Sequence, residues 1–282
     1  MRLILVFFTA LLVIAFLGGE QNHRNKAFED KSQIRYIEKD LLSRAKTAVD
    51  NIPAKYTSNK NQYGVVTFLD KSKKFSERDV HRYLARQQGK GEQAPFNLVW
   101  RDKNHRDAAY TSMGVDWKHP FVNSYLVGIR PFEAENNWLP LYVISKLKTY
   151  QYDKEQYGAV EVWQNSAQAM KLPRGDCEDH ALALADWLIS EGVDARVVIG
   201  KYKNGGHAWV VAKINQRTYL LEATSKRVRK NWNHLPLASL SYDYFPTHMF
   251  NRTEFWVNTN KDLTQDYQGV HWVKTSKFKN TR

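Results

Sequence analysis

Residues 174–224 constrain the fold more than any other part of the chain, because one helix signal is followed there by several strand signals. Between Cys177 and Ser190, small and apolar residues recur at helical spacing: Ala181, Leu184, Ala185, Leu188 and Ile189. Asp176 suits the N-cap of such a helix and Gly192 suits its C-terminal cap. We therefore predict a helix from about Cys177 to Ser190.

Strand signals follow this helix at Ala195–Tyr202, His207–Ile214 and Thr218–Thr224. A glycine-containing turn at residues 204–206 separates the first two, and Asn215 with Gln216 separates the last two. Such short turns predict an antiparallel meander. The predicted fold class is α+β, with the helix packed on an antiparallel sheet.

The only cysteine, Cys177, lies in the first turn of the predicted helix. Unpaired N–H groups and the helix dipole favour a thiolate at this position. Asp176, Glu178 and Asp179 oppose that effect, because nearby negative charge raises a thiol pKa. A catalytic role for this thiol therefore requires a histidine partner. A single cysteine also excludes an intramolecular disulfide and a zinc site of paired cysteines.

The two-residue turn at Asn215 and Gln216 would set the register of the last two strands. Ile214 then pairs with Arg217, and His207 shares one sheet face with Glu222 as a diagonal neighbour. The predicted arrangement is a thiol nucleophile, a histidine base and a carboxylate that orients the imidazole. Asp194 and Asp243 stay open as alternatives to Glu222. A structural histidine and an exposed strand glutamate are the simpler alternatives.

The stretch from about Val160 to Thr224 resembles the transglutaminase-like superfamily of papain-type thiol enzymes. VEVWQNSAQAMKLPRGDCEDHALALADWLISEGVDARVVIG resembles the family's helix, nucleophile helix and first core strand, and GGHAWVV and YLLEAT resemble its histidine and acid strands. The chain also resembles the bacterial transglutaminase-like cysteine proteinases, periplasmic enzymes that cleave surface adhesins. The resemblance implies a papain-like core in which Cys177 is the nucleophile, His207 the general base and Glu222 the third member, where the family usually has aspartate.

The resemblance also implies a calcium site, because in these proteinases the acidic residues on either side of the cysteine bind calcium. Those positions correspond to Asp176 and Glu178 here, and carboxylate oxygens suit that cation. The acyl-transfer chemistry itself requires no cofactor. Gln164 is a candidate oxyanion donor beside the Cys177 backbone N–H, with simple solvation of its amide as the alternative.

Residues 3–17 form an unbroken apolar run, LILVFFTALLVIAFL, preceded by Arg2. This pattern is typical of an export signal, and its length lies between a signal-peptide core and a membrane-spanning helix. No clean pair of small residues marks a cleavage site, so an uncleaved anchor is slightly favoured over a cleaved signal peptide. We expect an exported, periplasmic body tethered to the inner membrane through this segment.

The sequence suggests four regions. Residues 1–19 form the signal peptide or anchor, residues 20–149 an N-terminal flank with an amphipathic helix between Ser32 and Ile52, residues 150–225 the catalytic core, and residues 226–282 a C-terminal extension. The chain has 42 basic and 29 acidic residues, a net charge of +13. This charge permits binding to polyanions, but no nucleic-acid-binding module is recognisable, so we expect no nucleic-acid partner.

The sequence leads to two classes of function. The first is a cysteine peptidase that cleaves protein substrates through a thioester. The same thioester could instead serve transglutaminase or deamidase chemistry, with an amine as the acceptor of the acyl group in the transglutaminase case. The second is a non-catalytic binding or scaffold module of the cell envelope with this fold, in which Cys177 is buried. The reactivity of the thiol distinguishes the two classes.

Overall fold

The computed structural model describes residues 38–58, 63–90, 93–227, 235–260 and 262–281. The apolar run at residues 3–17 and the start of the predicted amphipathic helix lie outside these ranges. The chain divides into two compact units, Met1–Thr47 and Ala48–Arg282. Among the described residues, no helix combines the length and apolar character needed to cross a bilayer.

The helices of the described residues are α1 (38–50), α2 (Ala54–Thr57), α3 (Glu77–Gln88), α4 (Leu139–Leu147), α5 (Asp153–Gln156), α6 (Ser166–Lys171) and α7 (Cys177–Ser190). Helix α1 is the described part of the predicted amphipathic helix and ends before Pro53. Helix α3 begins after Ser76, which forms a capping box with Asp79.

The strands are β1 (Gly64–Phe68), β2 (Lys74–Ser76), β3 (Asn97–Arg101), β4 (Asp107–Ser112), β5 (Thr149–Tyr150), β6 (Arg174–Gly175), β7 (Asp194–Tyr202), β8 (Gly205–Ile214), β9 (Arg217–Leu221), β10 (Tyr244–Phe250), β11 (Glu254–Asn258) and β12 (Trp272–Asn280). Eight of them form one sheet in the order β2-β1-β12-β11-β10-β7-β8-β9. All neighbouring pairs in this sheet are antiparallel. The presence of both helices and an antiparallel sheet confirms the predicted mixed α and β fold class.

The large sheet includes strands from outside the predicted catalytic core, residues 150–225. Strands β1 and β2 come from the predicted N-terminal flank, and β10 to β12 come from the predicted C-terminal extension. The sheet therefore continues across the predicted boundaries of the 150–225 region. Strands β5 and β6 form a separate short parallel pair that leads directly into helix α7.

The predicted meander is present as β7, β8 and β9, but β9 ends at Leu221 and not at the predicted Thr224, so Glu222 lies just beyond the strand. Asn215 and Gln216 both have positive φ, 48° and 63°, as a two-residue type I′ turn requires. Ile214 pairs with Arg217, which is the predicted register. Because this register is fixed by the turn and by the buried face of the strands, the side-chain directions of the whole hairpin follow from it.

Helix α7 has the predicted bounds and packs against β7 and β8. Its side chains from Glu178 to Leu188 are all buried, far more than a single apolar stripe would give. A helix that is covered on every side must satisfy any charged residue that it carries. Asp186, which is fully buried on this helix, shows how this is achieved.

Asp186 is paired with Arg252, whose Nε lies 2.6 Å from Asp186 Oδ1. We expect Arg252→Met to lower the free energy of unfolding by about 3 kcal/mol, because it leaves a buried carboxylate without its cation. The control is Arg82→Met, which breaks an exposed pair and should cost less than about 1 kcal/mol. Urea unfolding measures both variants, and equal losses would contradict the assigned role of Arg252.

Candidate active site

Cys177 is the first residue of α7, directly after Asp176 at the N-cap. Strand β6 ends at Gly175, and its pairing with β5 fixes the direction in which the chain enters the helix. A Cβ on Gly175 would lie 2.4 Å from Asp179 Oδ2, so only glycine fits between the strand and that carboxylate. Cys177 is half-buried, and its thiol is not part of a disulfide.

His207 and Glu222 are joined by a hydrogen bond of 2.7 Å between Nε2 and Oε2. Glu222 Oε1 also accepts from the backbone N–H and the hydroxyl of Thr224, at 3.1 and 2.6 Å. Burial raises the pKa of Glu222, but the hydrogen bonds from His207 and Thr224 outweigh it and lower the pKa overall. An ionised carboxylate only accepts hydrogen bonds, so His207 Nε2 is the donor in this contact, and in a neutral imidazole Nδ1 then has the free lone pair.

The histidine strand approaches the thiol at Ala208, whose backbone N–H is near enough to lower the pKa of Cys177. Ala208 follows His207 on β8, so the nucleophile candidate and the base candidate are brought to the same end of this strand. Among the alternatives to Glu222, Asp194 instead pairs with Arg196, at 3.2 Å. Asp243 offers its backbone carbonyl to Lys203.

Cys177 also lies among negative groups. Its Sγ donates to Glu178 Oε2 at 3.4 Å. Burial raises the pKa of the Cys177 thiol to about 12, and the charge of Asp176 adds to this. The structure thus contains the predicted unfavourable effect, in which a neighbouring carboxylate raises the pKa of the thiol. Without a further positive charge, this environment holds the thiol in its protonated form.

Four buried carboxylates lie close together near the thiol: Asp153, Asp176, Glu178 and Asp179. Each offers one oxygen within 4.8 Å of the others. Each also has one buried oxygen without a hydrogen-bond partner, namely Asp153 Oδ1, Asp176 Oδ1, Glu178 Oε1 and Asp179 Oδ2. We call these residues the carboxylate quartet. Unpaired buried oxygens at this spacing are the donor set that a hard divalent cation requires.

Protonation is the other way to relieve repulsion in the quartet. Burial raises the pKa of Asp153 to about 7, and it raises the pKa of Glu178 and of Asp179 well above the usual range. Lys148 is buried and its charge acts on Asp179, but its ammonium donates to the carbonyls of Ala169 and Leu172. The ammonium of Lys148 is thus engaged by backbone carbonyls, and the unpartnered oxygens of the quartet stay available to a cation.

Gln164 is fully buried beneath the site. Its Nε2 donates to Tyr157 Oη and to the Arg174 carbonyl, both at 3.0 Å, and its backbone N–H donates to Asp179 Oδ1 at 2.8 Å. These contacts use both side-chain N–H groups for structure. The oxyanion role of Gln164 stays a prediction, and a rotation of the amide would be needed to fulfil it.

Asp176 and His180 contact each other in the first turn of α7. Asp176 occupies the predicted N-cap position, but its side chain makes no capping hydrogen bond and belongs to the quartet. The Asp176 carbonyl instead lies 2.6 Å from His180 Nδ1. The His180 ring stacks on Tyr150, with the ring centroids 6.2 Å apart.

Two features of the site lay outside the sequence prediction. Asp153, the first residue of α5, belongs to the quartet although helix α6 and strand β6 lie between α5 and Cys177. Tyr244, on β10, donates from its hydroxyl to Glu222 Oε2 at 3.1 Å. No local spacing signals either residue, because both reach the site through the tertiary fold.

Residues 161–279 match a family model described as the CEP76 peptidase-like domain. The matched range contains Cys177, His207 and Glu222, and it supports a peptidase-like function at the family level. No match to a curated protein was found.

Among solved structures, the chain is similar to Legionella pneumophila LapG, with 17% identity over 48% of this chain and 72% of that protein and a TM-score of 0.36. It is also similar to the EGTA-treated form of Legionella pneumophila LapG, with 17% identity over 53% of this chain and 78% of that protein and a TM-score of 0.37.

Proposed function

We propose that this chain is an exported or membrane-tethered, transglutaminase-like cysteine peptidase that cleaves amide bonds in protein substrates. The observation that carries the proposal is the 2.7 Å hydrogen bond between His207 and Glu222. The residue after His207, Ala208, has a backbone N–H near enough to Cys177 to lower the pKa of its thiol. This geometry supports a nucleophile, a base and an orienting acid at one place. The family match over residues 161–279 supports the same class of activity.

In the proposed acylation step, His207 Nδ1 accepts the thiol proton of Cys177, and the sulfur attacks the carbonyl carbon of the substrate amide. Helix N-termini have free backbone N–H groups, so the Cys177 N–H is the first candidate donor to the oxyanion. The imidazolium then passes its proton to the departing nitrogen as the C–N bond breaks. A thioester on Cys177 and a free amine remain.

In the proposed deacylation step, His207 takes a proton from water while the water oxygen attacks the thioester carbonyl. The C–S bond breaks, the sulfur takes the proton back from the imidazolium, and a carboxylic acid is released. A substrate amine in place of water would form a new amide by the same route. Hydrolysis is the simpler proposal, because water requires no second binding site.

We further propose that the carboxylate quartet holds calcium. Asp176 and Glu178, the predicted ligands, would share the ion with Asp153 and Asp179, and their unpartnered oxygens support this assignment. A bound divalent cation supplies positive charge beside Cys177 and fixes the first turn of α7. The peptide-bond chemistry itself remains with Cys177, His207 and Glu222.

The proposed location outside the cytoplasm rests on residues 3–17, which lie outside the described residues. If that apolar run is retained, it tethers the peptidase to the inner membrane on the periplasmic side. Fractionation of cells that produce the full chain tests this part of the proposal. Recovery of the chain in the cytosolic fraction would contradict it.

The peptidase proposal is tested by incubating the full chain, purified in a mild detergent with calcium, with a mixture of cell-envelope proteins. Mass spectrometry of the new amino termini should show cleavage by the wild-type chain and none by Cys177→Ala. Cleavage that persists in Cys177→Ala would contradict the thiol mechanism. An absence of new termini from both proteins would favour the non-catalytic binding module.

Glu222→Gln should lower kcat for a cleaved peptide by about 10²–10⁴-fold, because the neutral amide orients the imidazole poorly and does not stabilise its charged form. KM should change little, since Glu222 lies behind His207. Glu254→Gln is the matched control, because Glu254 pairs with Lys274 on neighbouring strands of the same sheet. An equal kcat for Glu222→Gln and the wild type would remove Glu222 from the triad.

A further inference from the structure

One oxygen of Glu222 accepts from two side chains. Oε2 lies 2.7 Å from His207 Nε2 and 3.1 Å from the hydroxyl of Tyr244, while Oε1 is held by Thr224. The carboxylate is thus fixed at both oxygens, and Tyr244 is the donor that acts on the oxygen facing the imidazole. Its contact is therefore the one best placed to control the distance and the angle of the histidine bond.

Tyr244 is itself held in place by aromatic neighbours. Its ring centroid lies 4.6 Å from that of Tyr202, 5.1 Å from that of Trp209 and 6.3 Å from that of His207. Strand pairing adds to this, because Tyr244 and Tyr202 are directly opposite on β10 and β7. These contacts restrict the rotation of the phenol ring, so its hydroxyl is held in position to donate to Glu222.

The hydroxyl of Tyr244 remains a donor throughout the working pH range. Burial, with a smaller contribution from the charge of Glu222, raises the pKa of Tyr244 above its usual value. A carboxylate offers no hydrogen, so the proton of this contact can only come from the tyrosine.

We propose that Tyr244 is a positioning residue that holds the Glu222 carboxylate against His207 Nε2 and draws part of its negative charge away from the imidazole. This inference rests on the proposed peptidase function for its effect on catalysis. The contact itself can be measured without any turnover. Loss of the hydroxyl leaves Oε2 with His207 as its single side-chain donor among the described residues.

Two effects of Tyr244→Phe follow from this geometry. The carboxylate gains freedom to rotate away from the imidazole, so kcat should fall by about tenfold while KM is unchanged. The proton between His207 Nε2 and Glu222 should also move in frequency in the proton NMR spectrum, because the acceptor oxygen has lost a competing donor. The second effect does not depend on a substrate.

The test compares Tyr244→Phe with Tyr202→Phe in the full chain. Tyr202 is the matched control, because it packs against both His207 and Tyr244 but is not among the described donors to Glu222. With ¹⁵N-labelled histidine, the imidazole N–H signal of His207 should shift in Tyr244→Phe and stay at the wild-type position in Tyr202→Phe. Kinetics of the same proteins should show the kcat loss only in Tyr244→Phe.

Each outcome decides the proposal. A shifted signal with a selective kcat loss supports it. Unchanged spectra and rates in Tyr244→Phe, or equal changes in both variants, would overturn it, because the effect would then be absent or due to general packing. If the wild-type chain cleaves nothing, the peptidase proposal fails, and the NMR comparison still decides whether Tyr244 positions Glu222.

Discussion

Cys177→Ala and His207→Ala should each lower kcat on a cleaved peptide by on the order of 10⁴-fold or more, and the double variant should be no slower than the singles. Residues that act as one unit have non-additive effects, because either deletion removes the whole nucleophilic step. The structural basis for this expectation is that the backbone N–H of Ala208, the residue after His207, is near enough to Cys177 to lower the pKa of its thiol. Initial rates with the full chain measure the effect.

His271→Ala is the control for the loss of an imidazole. His271 is buried, its Nε2 lies 3.0 Å from the Asp266 carbonyl oxygen, and it lies in the turn just before β12. We expect its kcat to stay within a few-fold of the wild type, a difference of about 1 kcal/mol at most. Additive losses in the Cys177 and His207 double variant would show that the two residues do not share one step.

Calcium should raise the melting temperature of the full chain relative to chelator. At free calcium about 100 times the dissociation constant, binding to the folded state alone stabilises it by about 2.7 kcal/mol. For a chain of this size, that corresponds to a shift on the order of 5–10 °C. The physical reason is that the unpartnered oxygens of Asp153, Asp176, Glu178 and Asp179 gain a partner.

Asp153→Asn should remove most of this calcium-dependent shift, because it removes one charged ligand of the ion. Asp153 is chosen because it is not adjacent to Cys177 in the sequence. Asp262→Asn is the matched control, since Asp262 is exposed and lies far from the quartet in the chain. Titration calorimetry on the same proteins gives the stoichiometry directly. Equal melting curves of the wild type in calcium and in chelator would contradict a calcium site.

Local sequence signals predicted the parts of the site that depend on neighbouring residues. The bounds of α7 follow from helical spacing and from the cap positions around Cys177 and Ser190. The β8–β9 register follows from the Asn215 and Gln216 turn, and it brings His207 and Glu222 onto one face. In both cases the deciding contacts lie within a few residues, so the sequence pattern determines the geometry.

The remaining parts depend on contacts between distant segments. Asp153 joins the quartet because β5 pairs with β6 beside α7, and Tyr244 reaches Glu222 because β10 pairs with β7. Neither pairing has a turn or a periodicity that indicates its partner. The same reason explains why strands β1, β2 and β10 to β12 could not be assigned to the sheet in advance.

Burial was the physical quantity least accessible from the sequence. The carboxylates around Cys177 predicted an unfavourable charge on the thiol, and burial proves to be the larger cause of its raised pKa. For Gln164, the sequence suggested a donor to the substrate, whereas the fold commits its amide to Tyr157 and to a backbone carbonyl. Desolvation and hydrogen-bond partners depend on the complete packing of the core.

The rate of Cys177 alkylation by iodoacetamide shows whether His207 and Glu222 activate this thiol. The measurement uses the full chain and His207→Ala between about pH 5 and pH 9, in calcium and in chelator. We expect fast labelling near neutral pH that requires His207 and is faster in calcium than in chelator. Labelling of the wild-type chain no faster than a free thiol under every condition would contradict it and leave the non-catalytic binding module in its place.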